Sequence, residues 1–137
     1  MPSHDPGDFV PEAARKVYDV RDVIRAIVDN EEMLEVSSRW ARNMVTAFCR
    51  IDGRAVGVIA NQPWFLGGVI DAEASQKAAK FVRTCNSYGI PLVVLVDTPG
   101  FLPGTKQENL GVIRHGAKLL HAFAEAVVPK VTVVLRS

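Results

Sequence analysis

The chain has 137 residues, 48% of them hydrophobic and 23% charged, a balance that suits one globular domain with its own core and excludes a disordered or fibrous polymer. Its formal net charge is +1 and its sixteen basic residues are scattered, so neither a nucleic-acid-tracking stripe nor a polybasic patch for a membrane surface is present. No apolar run approaches the roughly 18 residues of a spanning helix, the amino end lacks a hydrophobic signal core, and Cys49 and Cys85 lack CxxC spacing; a cytoplasmic or matrix-type protein without metal site or disulfide framework is expected.

Residues 1–17 carry Pro2, Pro6 and Pro11 among polar residues, a composition that extends rather than packs, and they read as an arm or linker preceding a domain over 18–137. Val20, Val23, Ile24, Ile27 and Val28 then recur at helical spacing behind Asp19, which predicts a short amphipathic helix with Asp19 as its cap. Val45 to Ile51 alternates, Asp52-Gly53 is a turn pair that tolerates positive φ, and Arg54 to Asn61 resumes the alternation, so a hairpin is expected. Asn61 to Gly68 reads as a loop in which Pro63 stops the strand and the paired glycines allow close backbone approach.

Asp71 caps a second predicted helix whose apolar face is Ala74, Ala78, Phe81, Val82 and Cys85, and Gly89 with Pro91 ends it. Leu92 to Val96 is continuously apolar, as a strand buried on both faces would be, and the chain leaves it at Asp97-Thr98-Pro99-Gly100. Thr105 to Glu108 is a capping box for a third helix with the face Ile113, Ala117, Leu120, Ala124 and Val127, ending before Pro129, and a strand over Val131 to Leu135 follows. Strands and helices that alternate with short joints specify an α/β layered unit, in which ligands sit beyond the carboxyl ends of the parallel strands.

Asp97-Thr98-Pro99-Gly100 after an apolar strand also resembles the DxxG of a GTPase, but no GxxxxGK[ST] cradle and no NKxD-like base reader accompany it. Asp97 itself has two readings, a general acid or base and a turn former bonded to its own backbone. His115 and His121, six residues apart on one helix, fall on different parts of its surface and read as structural. No nucleophile elbow is present. Gly67, Gly68, Gly100, Gly104 and Gly111 sit at bends or at a helix start, where backbone N–H groups can either hold an oxyanion or simply turn the chain.

In order, the strings ANQP (60–63), GGVIDAEASQKAAKFVRTCNSYGIPLVVLVDTPGFLPGTKQE (67–108) and GVIRHGAKLLHAFAEAVVPKVTVVLR (111–136) resemble the carboxyltransferase β subunit of biotin-dependent acyl-CoA carboxylases of the propionyl-CoA and acetyl-CoA type. The resemblance implies a crotonase-like fold of layered ββα units, and a match to the first part of the family's C-terminal domain. It implies biotin as cofactor, carried as carboxybiotin on a partner subunit or domain, and an acyl-CoA, acetyl-CoA or propionyl-CoA, as substrate, with no metal. In that family the biotin ureido nitrogen removes the α-proton of the thioester and the enolate takes up CO2, so no side-chain base is required.

Partners implied are a biotin carboxylase or biotin carrier subunit and further carboxyltransferase subunits in a homo-oligomer, with neither nucleic acid nor membrane. The matching positions that would flank the biotin and acyl pocket are Asn61, Gln62, Pro63, Gly100, Phe101, Leu102, Pro103, Gly104, Gln107 and Gly111. Departures from the family pattern are Asn109-Leu110-Gly111 for a common Tyr-Gly-Gly, Thr98 for Val or Pro, and the bulkier Trp64-Phe65-Leu66. Relatives continue past the last strand into a glycine-rich segment, typically RKAYGGAY, where this sequence reads Leu135-Arg136-Ser137; a partial domain, inactive alone and prone to self-association, is therefore expected. The competing expectation is a non-catalytic assembly module or pseudo-enzyme of the same fold.

Overall fold

A computed structural model of the chain describes residues 18–97, 122 and 125–136. Helix α1 spans Val20–Ile27, and its cap is Asp19, whose carboxylate accepts the Arg21 N–H at 2.9 Å. Val20 and Ile24 are its buried residues. Past the helix, Asp29 turns back to the hairpin: its carboxylate accepts the Asp52 N–H at 2.9 Å and the Gly53 N–H at 2.7 Å. These two amides hold the Asp29 carboxyl below its ordinary value.

The hairpin forms as its sequence specifies. Strand β2 (Met44–Ile51) pairs antiparallel with strand β3 (Arg54–Asn61) in an unbroken register from Met44 opposite Asn61 to Ile51 opposite Arg54, and Asp52 (φ 55) and Gly53 (φ 80) make the two-residue turn. A four-residue strand, β1 (Met33–Val36), which the sequence pattern did not reveal, pairs antiparallel with β2 at the edge. Helix α2 (Ala72–Ser87) starts at Asp71, whose carboxylate takes the Ala74 N–H at 3.0 Å. It ends at Gly89 (φ 69), with the Ile90 N–H returned to the Cys85 carbonyl at 2.8 Å.

Strand β4 (Leu92–Asp97) then lies parallel to β3, and β5 (Lys130–Arg136) parallel to β4, so the sheet of the described residues runs β1-β2-β3-β4-β5 in chain order. The β4–β5 register slips between Val96 and Asp97, where the partner jumps from Val134 to Arg136. One apolar cluster lies between the sheet and α2, built on Met44, Ile59, Ala78, Phe81, Val82 and Leu92. The other lies under α1, from Val20, Ile24, Val45, Val58, Ala60 and Leu95. Gly57 lets α2 approach: a Cβ there would come within 2.5 Å of Cys85 Sγ and 3.0 Å of the Phe81 ring.

Both cysteines behave as small apolar residues, buried and unpaired, with burial pushing each thiol up to about 11. Of the predicted third helix only the end lies within the described residues: Ala122 and Glu125 are helical and the Ala126 N–H meets the Ala122 carbonyl at 3.1 Å. Its expected apolar face needs one correction. Val127 is 87% exposed, whereas Ala122, Ala126 and Val128 enter the α2-side cluster. The Val127 N–H is held by Asn86 Oδ1 at 2.8 Å as the chain leaves the helix, which turns that side chain outward.

Candidate functional site

Strands β3 and β4 run the same way, so their carboxyl ends lie side by side, and the residues leaving them decide what that end of the molecule presents. Asn61 and Gln62 are consecutive and point to opposite faces of the sheet. Asn61 Nδ2 donates to the Asp97 carbonyl at 2.6 Å and to the Gly68 carbonyl at 3.0 Å, while its Oδ1 accepts the Asp97 N–H at 2.8 Å. Gln62 serves α1: its Oε1 accepts the Val20 N–H at 2.9 Å and its Nε2 donates to Asp19 Oδ1 at 2.7 Å.

Asp97 closes the circuit. Buried at the end of β4, its carboxylate accepts the Tyr18 hydroxyl, and Tyr18 precedes Asp19 in the chain. Asn61, Asp97, Tyr18, Asp19 and Gln62 thus form a hydrogen-bonded ring closed by two peptide links. Asp19 extends it outward through Arg21, whose Nε and second guanidinium nitrogen donate to the two Glu35 oxygens at 2.7 Å and 3.0 Å, a bidentate pair across to β1. Burial pushes the Asp19 carboxyl upward, but the bonds from Gln62 and the Arg21 N–H, with the Arg21 charge, hold it below its ordinary value.

A second polar group anchors the β1–β2 loop. Asn43 donates to the Val69 carbonyl at 2.7 Å and to Asp71 at 3.1 Å, and its own carbonyl accepts the Gln62 N–H at 2.8 Å. From α2, the Lys77 ammonium donates to the carbonyls of Met44 (2.6 Å), Trp40 (2.7 Å) and Ala41 (3.3 Å), and Ala41 sits at φ 46 to reach it. Lys77 is 2% exposed, and burial lowers its pKa to about 8 against an opposing pull from the Glu35 charge.

On the outer rim the Arg42 guanidinium lies 5.0 Å from the Phe65 ring centre and Trp64 is exposed. Gly67 (φ 64) faces open space, whereas Gly68 (φ 80) packs so close that a Cβ would lie 2.8 Å from Asn61 Nδ2.

Of the positions expected to flank a pocket, Asn61, Gln62 and Pro63 gather at this end, all buried, with both carboxamides engaged in internal hydrogen bonds. Gly100, Phe101, Leu102, Pro103, Gly104, Gln107 and Gly111 lie outside the described residues, as do His115 and His121. Sequence reasoning missed Tyr18, Asn43 and Lys77, since each finds its partner far along the chain. Among the described residues there is no histidine and no group of acidic, cysteine or histidine side chains placed to hold a metal. What this end offers is a fixed frame, in which internally bonded carboxamides hold the two strand ends and a glycine turn in place. Among the described residues no helix is long and apolar enough to cross a membrane.

Residues 2–137 match the family model described as the carboxyl transferase domain. Over 135 residues the chain is 58% identical to the methylmalonyl-CoA carboxyltransferase 12S subunit of Propionibacterium freudenreichii subsp. shermanii, a match covering 98% of this chain and 26% of that one. It is 57% identical over 128 residues to the propionyl-CoA carboxylase beta chain of Saccharopolyspora erythraea, covering 93% and 23%. Its fold is similar to the crystal structure of transcarboxylase 12S, a hexamer with methylmalonyl-coenzyme A and methylmalonic acid bound, with a TM-score of 0.80, 57% identity, and 98% and 26% of the two chains covered. The chain thus spans about a quarter of the length of the relatives it matches.

Proposed function

The chain belongs to the carboxyl transferase domain family, and on that premise we propose that it forms one wall of the site in an acyl-CoA carboxyltransferase, on the side that receives biotin. The substrates are an acyl-CoA, acetyl-CoA or propionyl-CoA, and a carboxyl group carried on biotin by a partner subunit or domain. Further copies of the carboxyltransferase complete a homo-oligomer, and the cytoplasm, or the mitochondrial matrix of a eukaryote, is its place. The observation that carries the reading is the likeness in fold and sequence to the 12S subunit holding methylmalonyl-coenzyme A.

A cyclic urea is neutral and asks for hydrogen bonds from a fixed frame, and the Asn61 and Gln62 carboxamides, spent on internal bonds, would hold such a frame in place. Carboxybiotin, when bound, supplies the carboxyl group as CO2 and a ureido nitrogen that accepts the α-proton. The chain's own part is to hold its strand ends and glycine turn rigid and to exclude water from that wall. Asn61, Gln62 and Pro63 support it from below, and Gly100, Phe101, Leu102, Pro103, Gly104, Gln107 and Gly111 are assigned to its rim on sequence resemblance.

A segment exchange tests the reading. The matching quarter of the 12S subunit is replaced by this sequence, and transfer of the carboxyl group between methylmalonyl-CoA and free biotin is measured. Retained turnover is the expected result. Loss of turnover in an exchanged protein that still folds and still forms the hexamer would refute it and favour a non-catalytic assembly module.

A further inference from the structure

Resting on that reading, we infer that Asn61 is a positioning residue, whose carboxamide fixes the end of β4 against the Gly67–Gly68 turn instead of touching a ligand. Its burial is the starting point. At 4% exposure the side chain is out of reach of solvent, both of its polar atoms are engaged, and all three of its bonds go to backbone groups of this chain.

Those bonds replace a missing piece of sheet. The backbone register of β3 with β4 runs as far as Ala60 opposite Leu95, while on the other side β5 still meets Asp97 through Arg136 across the slip after Val96. On the β3 side the register ends before Asp97, and a buried backbone group there needs a partner. The Asn61 carboxamide takes both the N–H and the C=O of Asp97, as a neighbouring strand would, and its remaining N–H reaches Gly68. Such a fork of one acceptor and two donors on a single-methylene stem belongs to asparagine alone. An aspartate lacks the donors, and a glutamine carries the amide one methylene further.

The turn is shaped to the same group. Gly68 has φ 80 and would place a Cβ 2.8 Å from Asn61 Nδ2, so turn and carboxamide fit only while position 68 is glycine. On the opposite face the Tyr18 hydroxyl holds the Asp97 carboxylate. The strand end is thus clamped from both sides of the sheet, Asn61 gripping its backbone and Tyr18 its side chain. Backbone donors that must face a developing charge lose most of their effect when displaced by about 1 Å, so loosening the clamp acts on the reacting state more than on substrate capture.

Two variants test this, Asn61→Leu, which keeps the volume and removes all three bonds, and Gly68→Ala, which presses on the carboxamide while leaving Asn61 in place. Amide exchange at Asp97 is followed in the full chain, and kcat and KM for acyl-CoA in the segment-exchanged 12S protein. Expected are faster exchange of the Asp97 N–H, a kcat lower by about 10- to 100-fold, and a KM within about two-fold of the parent. If Asn61→Leu fails to fold, Gly68→Ala carries the test alone. Unchanged exchange at Asp97 overturns the clamp, and unchanged kcat, or a rise in KM alone, overturns the positioning role. Absence of transfer in the unsubstituted exchange protein overturns the functional reading and the catalytic half of this inference with it, while exchange at Asp97 still decides whether the clamp exists.

Discussion

Lys77 is held by three carbonyls, and the Glu35 charge acts on it in favour of its charged form. Its folded pKa of about 8 lies below the ordinary 10.5. Between those values the unfolded chain binds a proton that the folded chain has released, so the Lys77 contribution makes stability rise with pH through this window and flat outside it. Full passage is worth about 3 kcal/mol at most. Urea unfolding at about pH 7 and about pH 10 is expected to give a stability change across that interval more favourable in the parent than in Lys77→Met. Cys49 and Cys85, raised from 9.0 to about 11, impose an opposite slope within the upper part of that interval, but they are present in both proteins and cancel in the comparison. An equal pH response in the two would show that the buried amine does not titrate as placed. None of this was legible at the sequence level, because a lysine between apolar helix positions carries no mark of whether its amine finds water or carbonyls.

The hairpin and both described helices were legible in the sequence because their signals are local: alternation, a turn pair with positive φ, an aspartate cap, a terminating glycine. Strand β1 was not, since Met33-Leu34-Glu35-Val36 does not alternate and gains its place from pairing with β2 and from the distant Arg21. The bend after β3 was legible as a location, and the support beneath it was not. Pro63 and the paired glycines marked the bend after β3, whereas the roles of the two preceding carboxamides depend on Asp97 and Val20. Element packing also explains Gly57, which lies where α2 presses on the sheet. Gly57→Ala is expected to destabilise by about 1–3 kcal/mol, since the new methyl meets Cys85 Sγ and Phe81 together. Thermal or urea denaturation checks it, and an unchanged midpoint would mean that α2 can ride further from the sheet than its contacts indicate.

At the scale of the molecule the sheet is asymmetric in its cover. α1 packs over β2 and β3, α2 and the end of the following helix share one cluster on the opposite face, and β5 leaves Val131 and Val134 each 58% exposed. Apolar residues on an edge strand invite pairing with another copy. Concentration-dependent association by light scattering is expected for the chain alone, reduced in a Val131→Lys, Val134→Lys double variant; a monodisperse monomer at high concentration would argue against it. Spatial order equal to chain order has a different consequence, which concerns synthesis. A ribosome delivers the strands in the sequence in which they pair, so each strand from β2 onward emerges with its first hydrogen-bonding neighbour already made. Among the described residues the sheet can therefore lengthen strand by strand behind the ribosome, each of its five strands pairing with the one that precedes or follows it in the chain.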